Sequence, residues 1–338
     1  MRDHLNSLQH YKEAFSRLNS DVNSSRYPAS TLHRAPHKPF LLLAILDLIA
    51  QGVIQTNFIA LTPELVSTFD SYWVALMGPN KRTSPLLPFT HLRSDGFWHF
   101  VAISGKEEAL KHAGHVRTWK KYNALVEGAK FDEPLFILLQ DHDSRETLRA
   151  VLVAAYFSRE QHPRLLAVGE VVAETFSYSR TLQEIASDYF VLDRADPILY
   201  RQAVRSGAFR RVVTKAYDYS CAVCGIRLIT SEGRIVVEAA HIKPWSISHN
   251  DDPRNGLALC GLHHWVFDQG LIGITQAYQI KISPEVPRKD RRADALTQLK
   301  DQSILLPKEE AFWPSVYALN WHLKEKFRSQ ALPSLFDL

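Results

Sequence analysis

The sequence predicts an α+β protein of two domains joined by a helical connector. A mixed helix-and-strand domain is expected over residues 1–167, the connector over 168–205, and a metal-stapled strand, loop, strand and helix domain over 206–338 with its core at 217–275. Three observations carry this prediction. The chain has 338 residues, enough for two domains at roughly 100–200 residues each. Apolar helical segments alternate with short turn-bounded segments up to about residue 165. From Ser206 the composition shifts, and all three cysteines fall between Cys221 and Cys260.

In chain order, "PFLLLAILDLIAQG" has Pro39 suited to a first helical turn and Gly52 suited to the position after a helix end. It is apolar nearly all round, so it reads as a buried helix at the centre of the first domain. In "GPNKRTSPLLPFTHLRSDGFWHFV", Ser94-Asp95-Gly96 separates a short strand from a second one, "FWHFVAI". "GKEEALKHAGHVRTWKKYNAL" reads as helical, with basic residues crowding its second half. In "DSRETLRAVLVAAYF", Asp143 stands three residues before Glu146, a capping-box pattern ahead of an amphipathic helix. The connector is helical and more polar, "SYSRTLQEIASDYF" being its clearest part.

The net charge of +4 and pI near 8.8 permit a polyanionic partner without requiring one. The N-terminus has no apolar run ending in small residues, so no signal peptide is expected. The most apolar segment, Phe40 to Ala50, is too short to cross a bilayer and contains Asp47. An odd count of three cysteines argues against a disulfide framework and suits a reducing cytoplasm, where the protein is expected to act without a membrane partner.

The cysteines have another use. Cys221 and Cys224 form a C-x2-C in "YSCAVCGIRL", and Cys260 and His263 a C-x2-H in "LALCGLHHW". Each pair comes from one tight turn and donates two ligands, which is what a tetrahedral structural Zn2+ site needs. Three polar residues of the neighbouring stretch then remain. His241 ends the alternating strand "RIVVEAAH", Asn255 precedes Gly256 as a turn signal before a second apolar strand, and His264 lies in "GLHHWVFDQG", a short helix.

This order, with thirteen residues between His241 and Asn255 and eight between Asn255 and His264, resembles the HNH nuclease family and its ββα-metal fold. The resemblance implies that His241 is the general base, that Asn255 orients the loop carrying it, and that His264 binds a catalytic divalent metal such as Mg2+ or Mn2+ at the scissile phosphate. In many family members the residue before the general base is the second metal ligand, and here that residue is Ala240. Asp268, four residues after His264 and on the same helix face, is the first candidate to replace it, with Glu238, Asn255 or water behind. Charge agrees with a phosphate partner, since Arg201 to Trp245 holds eight Lys or Arg against three Asp or Glu. "YQIKISPEV" and "SILLPKEEAFWPSVYALNWHLKEKF" look like the strand and packing helix that accompany this branch, with His322 structural.

A small non-specific cutter would endanger its own genome, so the first domain is expected to choose the target. In "LHRAPHKPFLLLAILDL", the basic loop residues His33, Arg34, His37 and Lys38 run into the N-terminus of a buried helix, which can present backbone N–H groups to a phosphate. Together with "LLPFTHLRSDGFWHF", this stretch resembles the DNA sulfur-binding domains joined to HNH modules in type IV restriction endonucleases, over roughly residues 10 to 165. The resemblance implies double-stranded phosphorothioate DNA as the partner. An apolar cup would form around Leu87, Pro88 and Phe89, with Leu87 where the family commonly has Tyr. Arg117 in "HVRTWKKY" is the expected cationic wall, and His37 and Lys38 the contacts to nearby bases or phosphates.

The expected function is therefore that of a modification-dependent DNA endonuclease with a one-metal HNH mechanism. A single such site cuts one strand, so double-strand cleavage calls for a homodimer or sequential nicking. Two readings stay open on the same residues: an HNH restriction enzyme for methylated or unmodified sequences, and a non-catalytic DNA-binding module.

Overall fold

The computed structural model describes residues 2–81, 83–114, 116, 118–193, 201–286 and 294–330, with side chains from residue 6 onward. Two units separate by their internal contacts. The first comprises Met1–Ala173 and Thr230–Arg234, the second Glu174–Ile229 and Ile235–Leu338.

The first unit opens with α1 (Arg2–Ser16) and is built around α2 (His37–Ala50), whose residues from Lys38 to Ile49 are all buried. Helices α3 (Pro63–Met77), α4 (Leu86–His91), α7 (Glu133–Gln140) and α8 (His142–Tyr156) pack on it. Asp47 inside this apolar helix is matched from two sides, by Arg149 Nη2 at 2.7 Å and by the Tyr72 hydroxyl at 2.8 Å. Burial raises the Asp47 carboxyl above its ordinary range, and Arg149 works against that rise. Such a pair is tolerated in a core only because its partners satisfy it.

Strands β1 (Trp98–Ala102) and β2 (Val126–Phe131) pair antiparallel, with a register shift between Val101 and Ala102. Before β1 the structure differs from the expected strand, because "LLPFTH" forms α4. Pro85 occupies the N-cap in right-handed helical conformation, and Leu86, Phe89 and Thr90 fall on one buried face at helical spacing. The single helix expected over residues 105–125 is two short ones, α5 (Glu107–His112) and α6 (Trp119–Leu125). Gly114 at φ +59 interrupts them, and the Thr118 hydroxyl accepts from Lys121 N to start the second. The cap of α8 is Asp141, which accepts from Ser144 N at 2.9 Å, two residues ahead of the expected Asp143; Glu146 instead pairs with Arg149.

Helix α9 (His162–Ala186) runs without a break through residue 168, and the division between units falls inside it, between Ala173 and Glu174. In the second unit α10 (Gln202–Ala216) packs on the antiparallel hairpin of β3 (Val237–His241) and β4 (Gly256–Cys260). The short α11 (Trp245–Ser248) lies in the hairpin's loop, and α12 (Gly261–Asp268) follows directly and packs on both strands. The order is the expected strand, loop, strand and helix.

Gly256 opposes His241 in the ladder. Its φ of −131° is ordinary extended backbone, so its role is room: a Cβ there would lie 2.7 Å from Val213 Cγ2 and 2.9 Å from Phe209 Cζ. The missing side chain lets α10 approach the hairpin. Strands β5 (Ile272–Ile274) and β6 (Ile280–Ile282), then α13 (Asp294–Thr297) and α14 (Val316–Glu325), complete the unit, with α14 packed on β5. Among the described residues no helix is long and apolar enough to cross a membrane.

His322 of α14 is buried and stacks on Phe267 at 3.8 Å between ring centroids. Its Nε2 donates to Phe267 O at 3.1 Å, while Nδ1 is buried without a hydrogen-bond partner. Burial pushes its pKa down to about 4 from 6.5, with the Phe267 carbonyl acting the other way. The folded form then binds fewer protons than the unfolded one across that window. The resulting stability, on the order of 3 kcal/mol, is complete above the unfolded pKa and is lost as pH falls toward the folded one. His322→Gln, which keeps a donor for Phe267 O, is expected to flatten the fall in unfolding midpoint between pH 6.5 and about 4 in calorimetry. An unchanged slope would refute the assignment.

Candidate active site and metal centre

Four metal-ligating groups converge at the mouth of the β3–β4 hairpin. Sγ of Cys221, Cys224 and Cys260 and a ring nitrogen of His263 all lie within 4.8 Å of one another. His263 Nδ1 is 3.4 Å from Cys221 Sγ and 3.2 Å from Cys260 Sγ. A tetrahedral Zn2+ with Zn–S near 2.3 Å and Zn–N near 2.0 Å spaces its ligand atoms roughly 3.5–3.8 Å apart, so both donor set and spacing fit. Gly225 at φ +70 closes the first turn and gives its N–H to Cys221 O, while Cys260 and His263 flank the start of α12.

At the other end of β3, His241 is stacked on Phe209 of α10, with centroids 3.7 Å apart and planes 8° from parallel. Its Nε2 lies 2.9 Å from Asp251 Oδ1, and that same oxygen accepts from Arg205 Nη1 at 2.7 Å. The side chain of His241 keeps 20% of its surface exposed against 1% for Asp251, so the ring has a buried edge and an open one.

Asn255 is fully buried. Its Nδ2 donates to Lys243 O at 2.9 Å and Asn250 O at 3.1 Å, and its Oδ1 accepts from Lys243 N at 2.9 Å. Three hydrogen bonds thus tie both ends of the loop after His241 to the start of β4. The amide gives two N–H donations and accepts on its oxygen at once, whereas a Ser or Thr hydroxyl has a single hydrogen to give.

His264 lies between two carboxylates. Asp268 Oδ2 is 3.5 Å from Nε2, one helical turn on, and Glu238 Oε2 of β3 is 3.4 Å from Nδ1. Glu238 is two residues from Ala240, hence on the same face of the strand, the face that α12 covers. The two carboxylates face opposite ring nitrogens, so His264 with either Glu238 or Asp268 offers one nitrogen and a carboxylate oxygen, donors suited to a divalent ion such as Mg2+ or Mn2+.

The residues expected to read DNA fall into three groups. His33 is exposed in left-handed backbone at φ +59, Arg34 rests over the Tyr156 ring, and Leu87 on α4 is 49% exposed. His37, Lys38 and Phe89 depart from expectation. Burial and the nearby Arg26 charge pull His37 down to about 4, so it is a neutral ring beside Trp73 rather than a cation. The Lys38 ammonium is buried on Asp95 at 2.5 Å and Asn19 O at 2.7 Å, which removes it as a free phosphate contact. Phe89 is fully buried against Trp98 and Tyr122, so it supports α4 from beneath, and Pro88 is buried with it. Arg117 lies outside the described residues.

Sequence reasoning missed a cleft of about 720 Å³ in this unit, lined among others by Lys38, Thr90, His91, Arg93 and Phe100. Arg93 stacks over Phe100 there at 4.8 Å. It also missed Asp251 and Arg205, which no spacing rule links to His241.

The four-ligand cluster predicts bound zinc at one equivalent per chain after dialysis against Mg2+-free buffer, measured by mass spectrometry of the metals. Cys224→Ser is expected to lose that zinc and to lower the melting temperature of the second unit. Unchanged metal content would contradict the assignment.

Comparison with known proteins bears on both units. Residues 221–275 match the family model of the HNH endonuclease, and residues 15–170 match that of the ScoMcrA-like DNA sulfur-binding domain. No curated protein matches the chain. Among solved structures, a modification-dependent TagI restriction endonuclease aligns at 21% identity and a TM-score of 0.28, over 39% of this chain and 44% of that one. The chain thus spans under half the length of that structure. It joins a ScoMcrA-like DNA sulfur-binding domain to an HNH endonuclease domain that carries a Cys and His cluster able to hold zinc.

Proposed function

We propose that the chain is a modification-dependent endonuclease, of the type IV restriction class, that binds phosphorothioate double-stranded DNA and hydrolyses its phosphodiester bonds at the HNH site. The observation that carries this reading is the joining of a DNA sulfur-binding domain to an HNH domain whose His241, Asn255 and His264 stand on one hairpin and helix.

In this reading His241 takes a proton from water as the water oxygen bonds to phosphorus. The phosphorus–oxygen bond to the leaving group then breaks, and the leaving oxygen acquires its proton from solvent. Asn255 keeps His241 in place through the loop. His264 would hold the divalent ion through one ring nitrogen, with Glu238 beside Nδ1 or Asp268 beside Nε2 as its carboxylate partner, and the ion would supply Lewis-acid stabilisation of charge on the phosphoryl oxygens. Of the basic residues between Arg201 and Trp245, Arg201, Arg205, Arg227, Arg234 and Lys243 are each paired with an acid, so the attraction of this stretch for the phosphate backbone is weaker than its charge count.

Sulfur is larger and less strongly hydrated than oxygen, so an apolar surface such as that of Leu87 favours it. Arg117 is assigned the cationic wall. His33 and Arg34 are the backbone contacts of the same site. One active site cuts one strand, so cutting both takes a homodimer on the duplex or two successive nicks, on DNA in the cytoplasm.

Matched plasmids with and without phosphorothioate test the target: cleavage confined to the modified plasmid is expected, and equal cutting would refute it. His241→Ala is expected to lower cleavage of modified plasmid by roughly 10²–10⁴-fold while leaving DNA binding intact. Wild-type protein with no metal-dependent cutting would instead favour a binding module. Glu238→Gln and Asp268→Asn are each expected to raise the Mn2+ concentration needed for half-maximal cleavage, the larger rise marking the direct ligand. If neither moves it, the donor set is wrong.

A further inference from the structure

Resting on the nuclease reading, we propose that Asp251 is a positioning residue that holds His241 in the tautomer with Nε2 protonated, so that Nδ1 is the atom that takes the proton from water. Three independent features of the second unit converge on this. Asp251 is buried in the loop between His241 and Asn255, with 3% of its surface exposed. Its Oδ1 accepts from Arg205 Nη1 at 2.7 Å and faces His241 Nε2 at 2.9 Å, and its Oδ2 accepts from the Tyr178 hydroxyl at 3.4 Å. The imidazole plane is set separately, by the Phe209 ring stacked on it.

A carboxylate oxygen already held by a guanidinium has only acceptor capacity to offer, so the ring nitrogen facing it carries the hydrogen. In a neutral imidazole the other nitrogen then bears the lone pair. When Nδ1 takes up the proton from water, the ring becomes a cation beside the Asp251 carboxylate, and no reorientation of the pair is needed. Arg205 acts one step further out. Its guanidinium sits 3.9 Å over the Trp245 ring and is largely buried, which locks the carboxylate against rotation. Asn255 places the loop; Asp251, four residues earlier, selects the nitrogen.

Two measurements on the full chain test this. Nitrogen-15 NMR of histidine-labelled wild-type protein is expected to show His241 as a single neutral tautomer, with its Nε2 proton observable and Nδ1 bare. With the spectrum recorded at a pH where the imidazole is neutral, a protonated Nδ1 with a bare Nε2, or an average of two tautomers, would overturn the proposal, and this arm needs neither substrate nor a variant. In the second, Asp251→Asn offers the ring a donor as well as an acceptor. Single-turnover cleavage of phosphorothioate plasmid is expected to fall by roughly 10- to 10⁴-fold with a mixed tautomer, from the scale of losing a partner that orients a metal-bound histidine to that of an Asp→Asn change beside a catalytic one, while plasmid binding stays within about twofold. A wild-type rate, or a fall with the tautomer unchanged, would overturn it. Should Asp251→Asn not fold, the wild-type spectrum decides alone. Failure of the nuclease reading looks different: wild type and His241→Ala would then be equally inactive on every plasmid.

Discussion

The convergence of Cys221, Cys224, Cys260 and His263 is the constraint on which the geometry of the candidate site depends. It ties the turn after α10 to the junction of β4 and α12, two points separated by thirty-five residues between Cys224 and Cys260. Closing a loop of that length costs entropy that a small hairpin cannot easily recover from its own contacts. A bound ion would supply the difference, as metal binding does for small domains with few apolar layers. With Cys260 held, its ladder partner is Val237, and the register then brings His241 opposite Gly256. The helix that begins at Gly261 carries His264 toward Glu238.

Close packing at the far end of the hairpin is the second requirement. Gly256 admits α10, whose Phe209 stacks on His241 while Arg205, one helical turn earlier, reaches Asp251. One helix therefore supplies both the face and the electrostatic backing of the same imidazole. Asn255 next to that glycine fastens the loop through three hydrogen bonds, so the dipeptide works as a joint between loop, strand and helix. The adjacent His263 and His264 divide along the same lines, one turned into the buried cluster and the other toward two carboxylates at the surface.

Much of this was legible in the sequence because it depends on short-range spacing. Pairs of ligands two residues apart, a strand ending in His241, and an apolar stretch from Phe40 to Ile49 all leave a local signature. What stayed hidden depends on distant partners. Nothing near Asp251 reveals that Arg205, forty-six residues away, is its counter-ion, or that Lys38 is neutralised by Asp95, fifty-seven residues on. For the same reason the sequence suggests Phe89 as a cup lining, whereas the aromatic residues of β1 and α6 bury it. The segment before β1 has too short an apolar run to tell a strand from a helix by sequence, and only its packing on α2 shows the helical spacing. At α8, Asp141 and Asp143 both precede plausible partners, and the chain direction out of α7 decides for Asp141.

In the proposed reading the adjacent His263 and His264 serve two different ions, one that holds the domain together and one that acts on the phosphate. Crystals grown with Mn2+ and recorded at the zinc and manganese absorption edges test it most directly. Two separate anomalous peaks are expected, zinc among Cys221, Cys224, Cys260 and His263 and manganese at His264 beside Glu238 or Asp268. A single shared site, or manganese bound away from His264, would contradict it.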